Sequence, residues 1–326
     1  MNLRESKVLV TGGAGFIGSH LTEELLSRGA EVVVYDTFDS FYEGKQKNLA
    51  EASRSKKFRL INGDILDADT LDSAMRDVDI VFHEAGQAGV GFSVSNPDKS
   101  NQVNVNGTLN VLTLARKNGV KRVINVSSSS VFGEPRYLPM DESHPANPTS
   151  PYGVSKLAAE HYARVFSRVY GIYTISLRYF SVYGPRGRPD QVIHRFAASL
   201  LRGEPPVIDG NGSHSRDFTY VSDIVSGTIA AAESDDLSGE VFNLGFGSRT
   251  SISELAKKML RLTGQESRIS PRYVSESKSD FPHTQADNGK AKRLLGWNPT
   301  VGLDEGLRLF VAWLRNNSSM LVSGGQ

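Results

Sequence analysis

A chain of 326 residues, 39% hydrophobic and 22% charged, can bury a large core as one large domain or two unequal ones. Its 37 basic and 36 acidic residues give a net charge of +1, so neither nucleic acid nor an anionic membrane is expected as a partner. The sequence has no cysteine, which excludes disulfides, thiolate metal sites and a cysteine nucleophile, and no long apolar segment, so we expect a cytoplasmic protein without a metal.

The first elements follow the pattern of a parallel β–α–β unit. Residues 7–10, "KVLV", predict a buried strand, and a glycine turn follows over 11–18. An amphipathic helix is predicted from 19 to 30 with Gly29 as its stop signal, and "EVVVYD" at 31–36 is the second strand. This order of elements is the unit from which doubly wound sheets are built.

The same alternation continues through residue 180. Short β-branched runs separated by helix-length amphipathic segments indicate an α/β fold with a Rossmann-type doubly wound parallel sheet. The further strands are predicted at 58–64, 79–86, 122–128 and 173–180, and the helices at 71–76, 103–118 and 152–170.

The glycine turn is the first chemical signal. Gly12, Gly15 and Gly18 lie where a strand meets a helix, and binding a pyrophosphate there needs a tight turn, close backbone approach and exposed helix N–H groups. Asp36 ends the second strand, where a carboxylate accepts hydrogen bonds from an adenosine ribose and repels a 2′-phosphate. We therefore predict NAD as the cofactor. Further predicted contacts are Phe16 and Ile17 in the turn and Asp64 and Ile65 after the third strand.

The chain divides into three predicted parts. Residues 1–180 form the NAD-binding Rossmann domain, with some later segments returning to it. Residues 181–316, where Gly- and Pro-rich loops separate shorter helices, form mainly a smaller, mixed α/β substrate-binding domain. Residues 317–326 are predicted to be a flexible tail.

A second set of polar residues follows the fifth strand. "NVSSSSVFG" places a row of hydroxyls at the strand end where ligands of open α/β sheets bind, and "SPYGVSK" follows. Pro151 suits a first helical turn, so Tyr152 stands near a helix N-terminus with Lys156 four residues on, on the same face. The helix dipole, the Lys156 charge and the nicotinamide of NAD are expected to lower the pKa of the Tyr152 phenol, which then serves as a base.

Together these motifs resemble the extended short-chain dehydrogenases/reductases, and within them the NAD-dependent nucleotide-sugar epimerases of the UDP-glucose 4-epimerase type. The resemblance covers nearly the whole chain. The motifs that carry it are "VTGGAGFIGSH", "NVNGTLNVL", "SSSSVFGEP", "SPYGVSK", "LRYFSVYGPRGRPD", "SRDFTYVSD" and "ADNGKAKRLLGWNP".

The resemblance implies roles for individual residues. Tyr152 is the catalytic base, Lys156 binds the nicotinamide ribose and lowers the tyrosine pKa, and Ser128 bonds the reacting oxygen of the sugar, with Ser129 as the alternative hydroxyl. Arg216 is implied to hold the substrate diphosphate. Residues implied to line the cofactor are Ala85, Gly86, Asn104 and Tyr179, and Asp280 is implied to bind substrate.

The resemblance also implies a mechanism. Tyr152 takes the proton of the sugar 4-hydroxyl while C4 is oxidised by NAD, the 4-keto sugar turns over in the site, and C4 is reduced on its other face. Related dehydratases carry a Thr-Asp-Glu pattern before "VFG" and related decarboxylases a glutamate, whereas this chain has serines at 128, 129 and 130. The missing carboxylate favours epimerisation.

Departures from the UDP-glucose pattern bear on the substrate. Ser181 stands where glucose epimerases usually have asparagine, and with Arg188 it resembles the pair that contacts the sugar carboxylate in UDP-glucuronate 4-epimerases. Arg188 as a loop arginine near phosphate is the alternative. Ser277 replaces a second phosphate-binding arginine beside Lys278, and Thr284 replaces a bulkier tyrosine, so an N-acetyl sugar is also open.

Other functions remain beside the 4-epimerase acting on UDP-glucose/UDP-galactose or UDP-glucuronate/UDP-galacturonate. One is another nucleotide-sugar oxidoreductase, such as a decarboxylase, dehydratase or reductase. The other is a non-catalytic NAD-binding scaffold, which would be expected to have lost Tyr152 or Lys156. The resemblance further implies a homodimer formed through a helix bundle that contains the Tyr-Lys helix.

Overall fold

The computed structural model describes residues 2–42, 44–275 and 282–317. Within them, the strands are β1 (Lys7–Thr11), β2 (Glu31–Asp36), β3 (Phe58–Asn62), β4 (Ile80–His83), β5 (Arg122–Ser128), β6 (Tyr173–Tyr179), β7 (Ser181–Tyr183), β8 (Val207–Asp209), β9 (Ser215–Arg216), β10 (Phe218–Tyr220), β11 (Glu240–Leu244), β12 (Thr250–Ser251) and β13 (Arg272–Val274). The helices are α1 (Phe16–Ser27), α2 (Lys45–Asn48), α3 (Ala68–Ala74), α4 (Val90–Ser95), α5 (Pro97–Asn101), α6 (Gly107–Lys117), α7 (Pro151–Tyr170), α8 (Val192–Leu201), α9 (Val221–Glu233), α10 (Ile252–Thr263), α11 (Gly289–Leu295) and α12 (Leu303–Asn316).

The central sheet has seven parallel strands in the order β11-β6-β5-β4-β1-β2-β3. Successive side chains of a strand point to opposite faces, so each strand feeds two cores. In β1, Val8 and Val10 belong to one core with α1 and α9, and Leu9 belongs to the other with α3, α6 and α7. The predicted doubly wound parallel sheet with helices on both faces is confirmed.

The chain reverses its strand order at β1, which makes the topological switch point of the sheet. From β1 the strands run outward through β2 and β3 on one side and through β4, β5 and β6 on the other. The carboxyl ends of all these strands meet at one edge, where open α/β sheets bind their ligands. The edge is therefore the place to look for the site.

The second half of the chain contributes to the sheet as well as covering it. The strand β11 pairs in parallel with β6, and α9 packs beneath β5 and β6. The remaining short strands form three separate pairs, β7 with β10, β9 with β12 and β8 with β13. The predicted division at residue 180 stays a prediction, and of the predicted tail only Asn317 lies within the described residues.

The helix α7 carries the Tyr-Lys pair and begins as predicted. The Ser150 hydroxyl accepts a hydrogen bond from the Gly153 N–H at 3.1 Å, Pro151 is the first helical residue, and Gly171 ends the helix with φ +74°. A Cβ on Gly153 would lie 2.4 Å from the Ser130 carbonyl oxygen. The glycine between Tyr152 and Val154 thus lets the helix start directly against the serine row.

Several elements differ in their bounds from the sequence prediction; α3 begins at Ala68 rather than 71, and β4 ends at His83 rather than 86. The helix α1 begins at Phe16, three residues before the predicted start, because Gly15 is the last extended residue and serves as its N-cap. Asn104 lies in a π-helical turn over Gln102–Asn106 that joins α5 to α6, a local widening of the kind often found at functional sites.

None of the helices in the described parts of the chain combines the length and hydrophobicity that a membrane crossing requires.

Candidate active site

A cleft of about 460 Å³ runs along the carboxyl ends of the sheet strands. It brings together most of the side chains singled out in the sequence, although they come from segments up to 176 positions apart, from Gly12 to Arg188. The predicted residues that line it are Gly12, Gly15, Phe16, Ile17, Gly18, Asp36, Asp64, Ile65, Ala85, Gly86, Ser128, Ser129, Tyr152, Lys156, Tyr179, Ser181 and Arg188.

The glycine turn forms a cradle that only glycine fits. Gly12 has φ +71°, and a Cβ there would lie 2.7 Å from the backbone of Ala85. A Cβ on Gly18 would lie 2.4 Å from the Gly12 carbonyl oxygen. Gly15, the N-cap residue of α1, makes no side-chain hydrogen bond and lines the cleft with Phe16, Ile17 and Gly18, so this helix start suits a pyrophosphate.

The carboxylate of Asp36 is fixed at the end of β2. One oxygen accepts the Ala14 N–H at 3.0 Å and the other the Phe38 N–H at 2.8 Å. Burial raises the pKa of Asp36, and these two N–H groups oppose the rise. Each oxygen keeps a second lone pair for a ribose hydroxyl. The cradle and Asp36 together fit the adenosine diphosphate half of NAD.

A glycine-to-alanine substitution tests this cradle. In Gly18→Ala the new methyl group overlaps the Gly12 carbonyl, so we expect NAD affinity to fall at least about tenfold and stability to fall by about 1–3 kcal/mol. Gly91→Ala in α4 is the control, because nothing lies within 4 Å of its Cβ position and the affinity should not change. Calorimetric titration with NAD and thermal unfolding measure both quantities. Equal NAD affinity in the two variants would contradict the cradle.

Tyr152 is half-buried in the cleft, and burial is the largest influence on the pKa of its phenol. Burial raises the pKa of its phenol, whereas the Arg188 charge and a hydrogen bond with Ser128 lower it. The predicted lowering included the charge of bound NAD and stays a prediction; in the protein by itself the cost of burying a phenolate outweighs the nearby positive charge. The cation that acts on Tyr152 here is Arg188, from the loop after β7.

Lys156 is held one turn further along α7. Its ammonium group donates to the Val126 carbonyl at 2.8 Å and lies close to Gly86, where a Cβ would be 3.0 Å from Nζ. Burial lowers the pKa of Lys156 to about 8, and the carboxyl groups of Glu84 and Glu160 raise it. The ammonium group is thus positioned on the cleft wall beside the predicted cofactor residue Gly86.

Ser128 ends β5 and caps the short 3₁₀ turn that follows. Its hydroxyl accepts the Ser130 N–H at 3.1 Å and interacts with the Tyr152 phenol. Ser129 also lines the cleft, but it is only 9% exposed, whereas Ser128 is half-buried. Of the two hydroxyls left open by the sequence, Ser128 is the one in contact with Tyr152.

Arg188 lines the same cleft as the serine row. Its guanidinium group donates to both carboxylate oxygens of Asp190, at 2.9 and 3.0 Å, and its charge acts on Tyr152. Ser181 starts β7 and also lines the cleft. The predicted Ser181–Arg188 pair therefore faces the same space as Tyr152.

Some predicted site residues lie elsewhere. Asn104 is 1% exposed and holds the loop after β4, since its amide accepts the Gln87 N–H at 2.7 Å and donates to the Gln87 carbonyl at 3.0 Å. Arg216 is half-buried in β9, where it donates to the Ser215 and Pro282 carbonyls, and it does not line this cleft. Asp280, with Ser277 and Lys278, lies outside the described residues.

The structure adds residues that the sequence reasoning missed. Glu84, Gln87 and Tyr42 line the cleft. The Tyr42 hydroxyl is buried next to Gly15, whose Cβ position is 3.7 Å away. Glu84 had a readable signal, because it is an acid at the carboxyl end of a buried strand, as Asp36 is. Tyr42 had none, since it lies in an irregular loop.

The parallel sheet, the glycine cradle and the Ser–Tyr–Lys arrangement define an extended short-chain dehydrogenase/reductase. A family model described as GDP-mannose 4,6 dehydratase matches residues 9–310. The chain belongs to this family.

Its relatives include nucleotide-sugar epimerases over their full lengths. A UDP-glucuronate 4-epimerase of Thermodesulfobacterium geofontis is 36% identical over 97% of this chain and 98% of that protein. A UDP-glucose 4-epimerase of Mycolicibacterium smegmatis is 36% identical over 96% and 99%. A tyrosine-to-phenylalanine mutant of UDP-glucuronic acid 4-epimerase from Bacillus cereus, solved with a UDP-4-deoxy-4-fluoro-glucuronic acid and NAD, is 34% identical, with a TM-score of 0.91 over 95% of this chain and 99% of that one. The predicted class, an NAD-dependent epimerase of nucleotide sugars, is confirmed.

Proposed function

We propose that the protein inverts C4 of a UDP-sugar through a transient 4-keto sugar, and that UDP-glucuronate/UDP-galacturonate is its substrate pair. The observation that carries the proposal is the convergence of three groups on one cleft. The Tyr152 phenol contacts Ser128, and Arg188 is close enough for its charge to lower the Tyr152 pKa. A base, a hydroxyl and a cation are therefore available around one sugar ring, beside a cradle that fits NAD.

The chain's own residues handle the proton and the orientation of the sugar. Tyr152 accepts the proton of the 4-hydroxyl and returns it to the inverted oxygen, while the Ser128 hydroxyl holds that oxygen near the phenol. Lys156 stands beside Gly86, where it holds the nicotinamide ribose and adds positive charge. Bound NAD supplies a reversible two-electron oxidant for C4. Because the oxidant is regenerated, the net reaction consumes no cofactor.

The composition of the serine row favours epimerisation over elimination. A dehydratase or decarboxylase of this fold needs an additional acid or base near the sugar, and the resemblance puts it in the row at 128–130. Here that row holds three hydroxyls, of which Ser129 and Ser130 are buried. Glu84, a carboxyl group in the cleft, is engaged with the Tyr179 hydroxyl instead. These observations support the epimerase against the other oxidoreductases.

Arg188 favours glucuronate as the sugar. Its Nε and Nη2 donate to the Asp190 carboxylate at 2.9 and 3.0 Å, and the remaining N–H groups of Nη1 and Nη2 form a second fork for a C6 carboxylate. Ser181 lines the same cleft and offers a hydroxyl. A neutral glucose C6 leaves this guanidinium without a substrate partner. Arg216 is proposed to hold the UDP diphosphate, and Asp280 is proposed to bind another part of the substrate.

We also propose a homodimer formed through α7. Its exposed face carries an apolar stripe of Val154, Tyr162, Val165 and Val169, which are 54%, 38%, 49% and 63% exposed. Their spacing puts them within one side of the helix, and such a contiguous apolar face suits burial against a second copy. Sedimentation should then give twice the 35.6 kDa chain mass.

A product assay tests the proposed function. Purified protein is incubated in parallel with UDP-glucose, UDP-N-acetylglucosamine and UDP-glucuronate, and the products are identified by NMR. We expect C4 inversion of UDP-glucuronate at the highest rate, with no net change in NADH absorbance. A 4-keto-6-deoxy sugar or released CO₂ would instead identify a dehydratase or decarboxylase.

A further inference from the structure

The cleft contains a carboxyl group to which the mechanism above gives no task. Glu84 directly follows β4, and its N–H donates to the Thr11 carbonyl at 3.1 Å. Its Oε1 accepts the Tyr179 hydroxyl at 2.9 Å, and that hydroxyl also lies 2.7 Å from the Thr228 hydroxyl. A partly buried carboxyl held in one orientation by a buried tyrosine is an arranged feature rather than a solvated surface acid.

Glu84 lies on the side of the cleft opposite the adenosine residues. Asp36 ends β2 and Asp64 follows β3, and both strands lie on one side of β1 in the sheet. Glu84 follows β4, on the other side, and its hydrogen bond to Tyr179 extends to the end of β6. Asp36 would hold the adenosine half of NAD and the glycine turn its pyrophosphate. The nicotinamide half would then lie among the residues that follow β4, β5 and β6. Tyr152 lines this part of the cleft as well.

The carboxyl group responds readily to a nearby charge. Burial raises the pKa of Glu84 to about 7, and the Tyr179 hydrogen bond and the Lys156 charge oppose the rise. A further cation in the cleft favours its ionised form, and the ionised form in turn favours that cation. The other acids in the described lining are engaged elsewhere, Asp36 and Asp64 with backbone N–H groups and Asp39 with Lys45.

We propose that the Glu84 carboxylate selects the oxidised cofactor, because it attracts the cationic nicotinamide ring of NAD and gains nothing from the neutral ring of NADH. The inference rests on the proposed function for its purpose, since an epimerase needs its cofactor oxidised at the start of every turnover. In this proposal Glu84 acts only through its negative charge, and Tyr152 remains the residue that accepts and returns the proton.

A competition experiment measures this selection without any sugar. The full-length protein is loaded with NADH, whose fluorescence is followed as NAD displaces it, and the ratio of the two dissociation constants is obtained. Glu84→Gln keeps an oxygen that accepts the Tyr179 hydroxyl but loses the charge, whereas Glu84→Asp keeps the charge. We expect the preference for NAD to fall about tenfold in Glu84→Gln through weaker NAD binding, and to persist in Glu84→Asp.

The controls separate charge from structure. Asp64→Asn removes a carboxylate at the adenosine side and should change NAD and NADH affinity by the same factor. If circular dichroism shows that Glu84→Gln is unfolded, Glu84→Leu takes its place. An unchanged ratio in the folded neutral variant, or equal losses for NAD and NADH, would overturn the proposal. Because no sugar is present, the result stands apart from whether the protein epimerises one.

Discussion

Replacing Tyr152 by phenylalanine should reduce turnover about 10³-fold while NAD binding and the fold remain intact. The substitution removes only the hydroxyl that contacts Ser128, so the sugar 4-hydroxyl loses its proton acceptor. Binding of the UDP group depends on other residues, so KM should change far less than kcat. Initial rates on the preferred UDP-sugar and calorimetric titration with NAD measure the two effects.

A tyrosine at the other end of the same helix is the matched control. Tyr170 ends α7, is 45% exposed and packs on Phe166 and Arg116. Tyr170→Phe therefore makes the same chemical change on the same helix, away from the cleft, and should retain full activity. If Tyr152→Phe kept more than a tenth of the wild-type kcat, another group would have to be the base.

The substrate prediction depends on Arg188. In Arg188→Ala, turnover of UDP-glucuronate should fall about 100-fold, because the sugar carboxylate loses its bidentate partner in a partly buried site. UDP-glucose has no carboxylate, so its turnover should fall much less. Parallel kcat/KM measurements on the two sugars give the selectivity directly.

Arg188→Lys separates the two effects of this side chain. Lysine keeps the positive charge that lowers the Tyr152 pKa but lacks the planar fork. In Arg188→Ala the Tyr152 pKa rises, so the base form is lost at low pH and activity on UDP-glucose should move to higher pH. Arg188→Lys should keep the wild-type pH profile and still lose glucuronate turnover. Equal losses on both sugars in Arg188→Lys would contradict a role in substrate choice.

Most of the fold and much of the site could be predicted from short stretches of the sequence. The glycine turn, Asp36 and the "YGVSK" helix start are each set by a few adjacent residues, and the structure brings them together because parallel strands share one carboxyl edge. The sequence analysis does not predict β11, because this strand lies outside the regular alternation that marks the first half of the chain.

What the sequence could not supply depends on three-dimensional neighbours. The direction of the Tyr152 pKa shift follows from its burial and from Arg188, which is 36 positions away in the chain. Asn104 and Arg216 are polar residues in informative motifs, yet one braces the Gln87 loop and the other donates to backbone carbonyls at β9. A motif shows which residue types are present, whereas facing the cleft is a property of the folded chain.

One measurement tests the epimerase most directly. The protein is incubated with UDP-glucuronate in D₂O, and the C4 position of the product is followed by proton NMR. Oxidation and reduction at C4 within one bound complex predict a C4-inverted sugar that keeps its original hydrogen, with no deuterium at C4. Deuterium at C4 would mean that C4 is inverted by removal and return of a proton. That result would contradict the role assigned to the glycine cradle, to Tyr152 and to NAD.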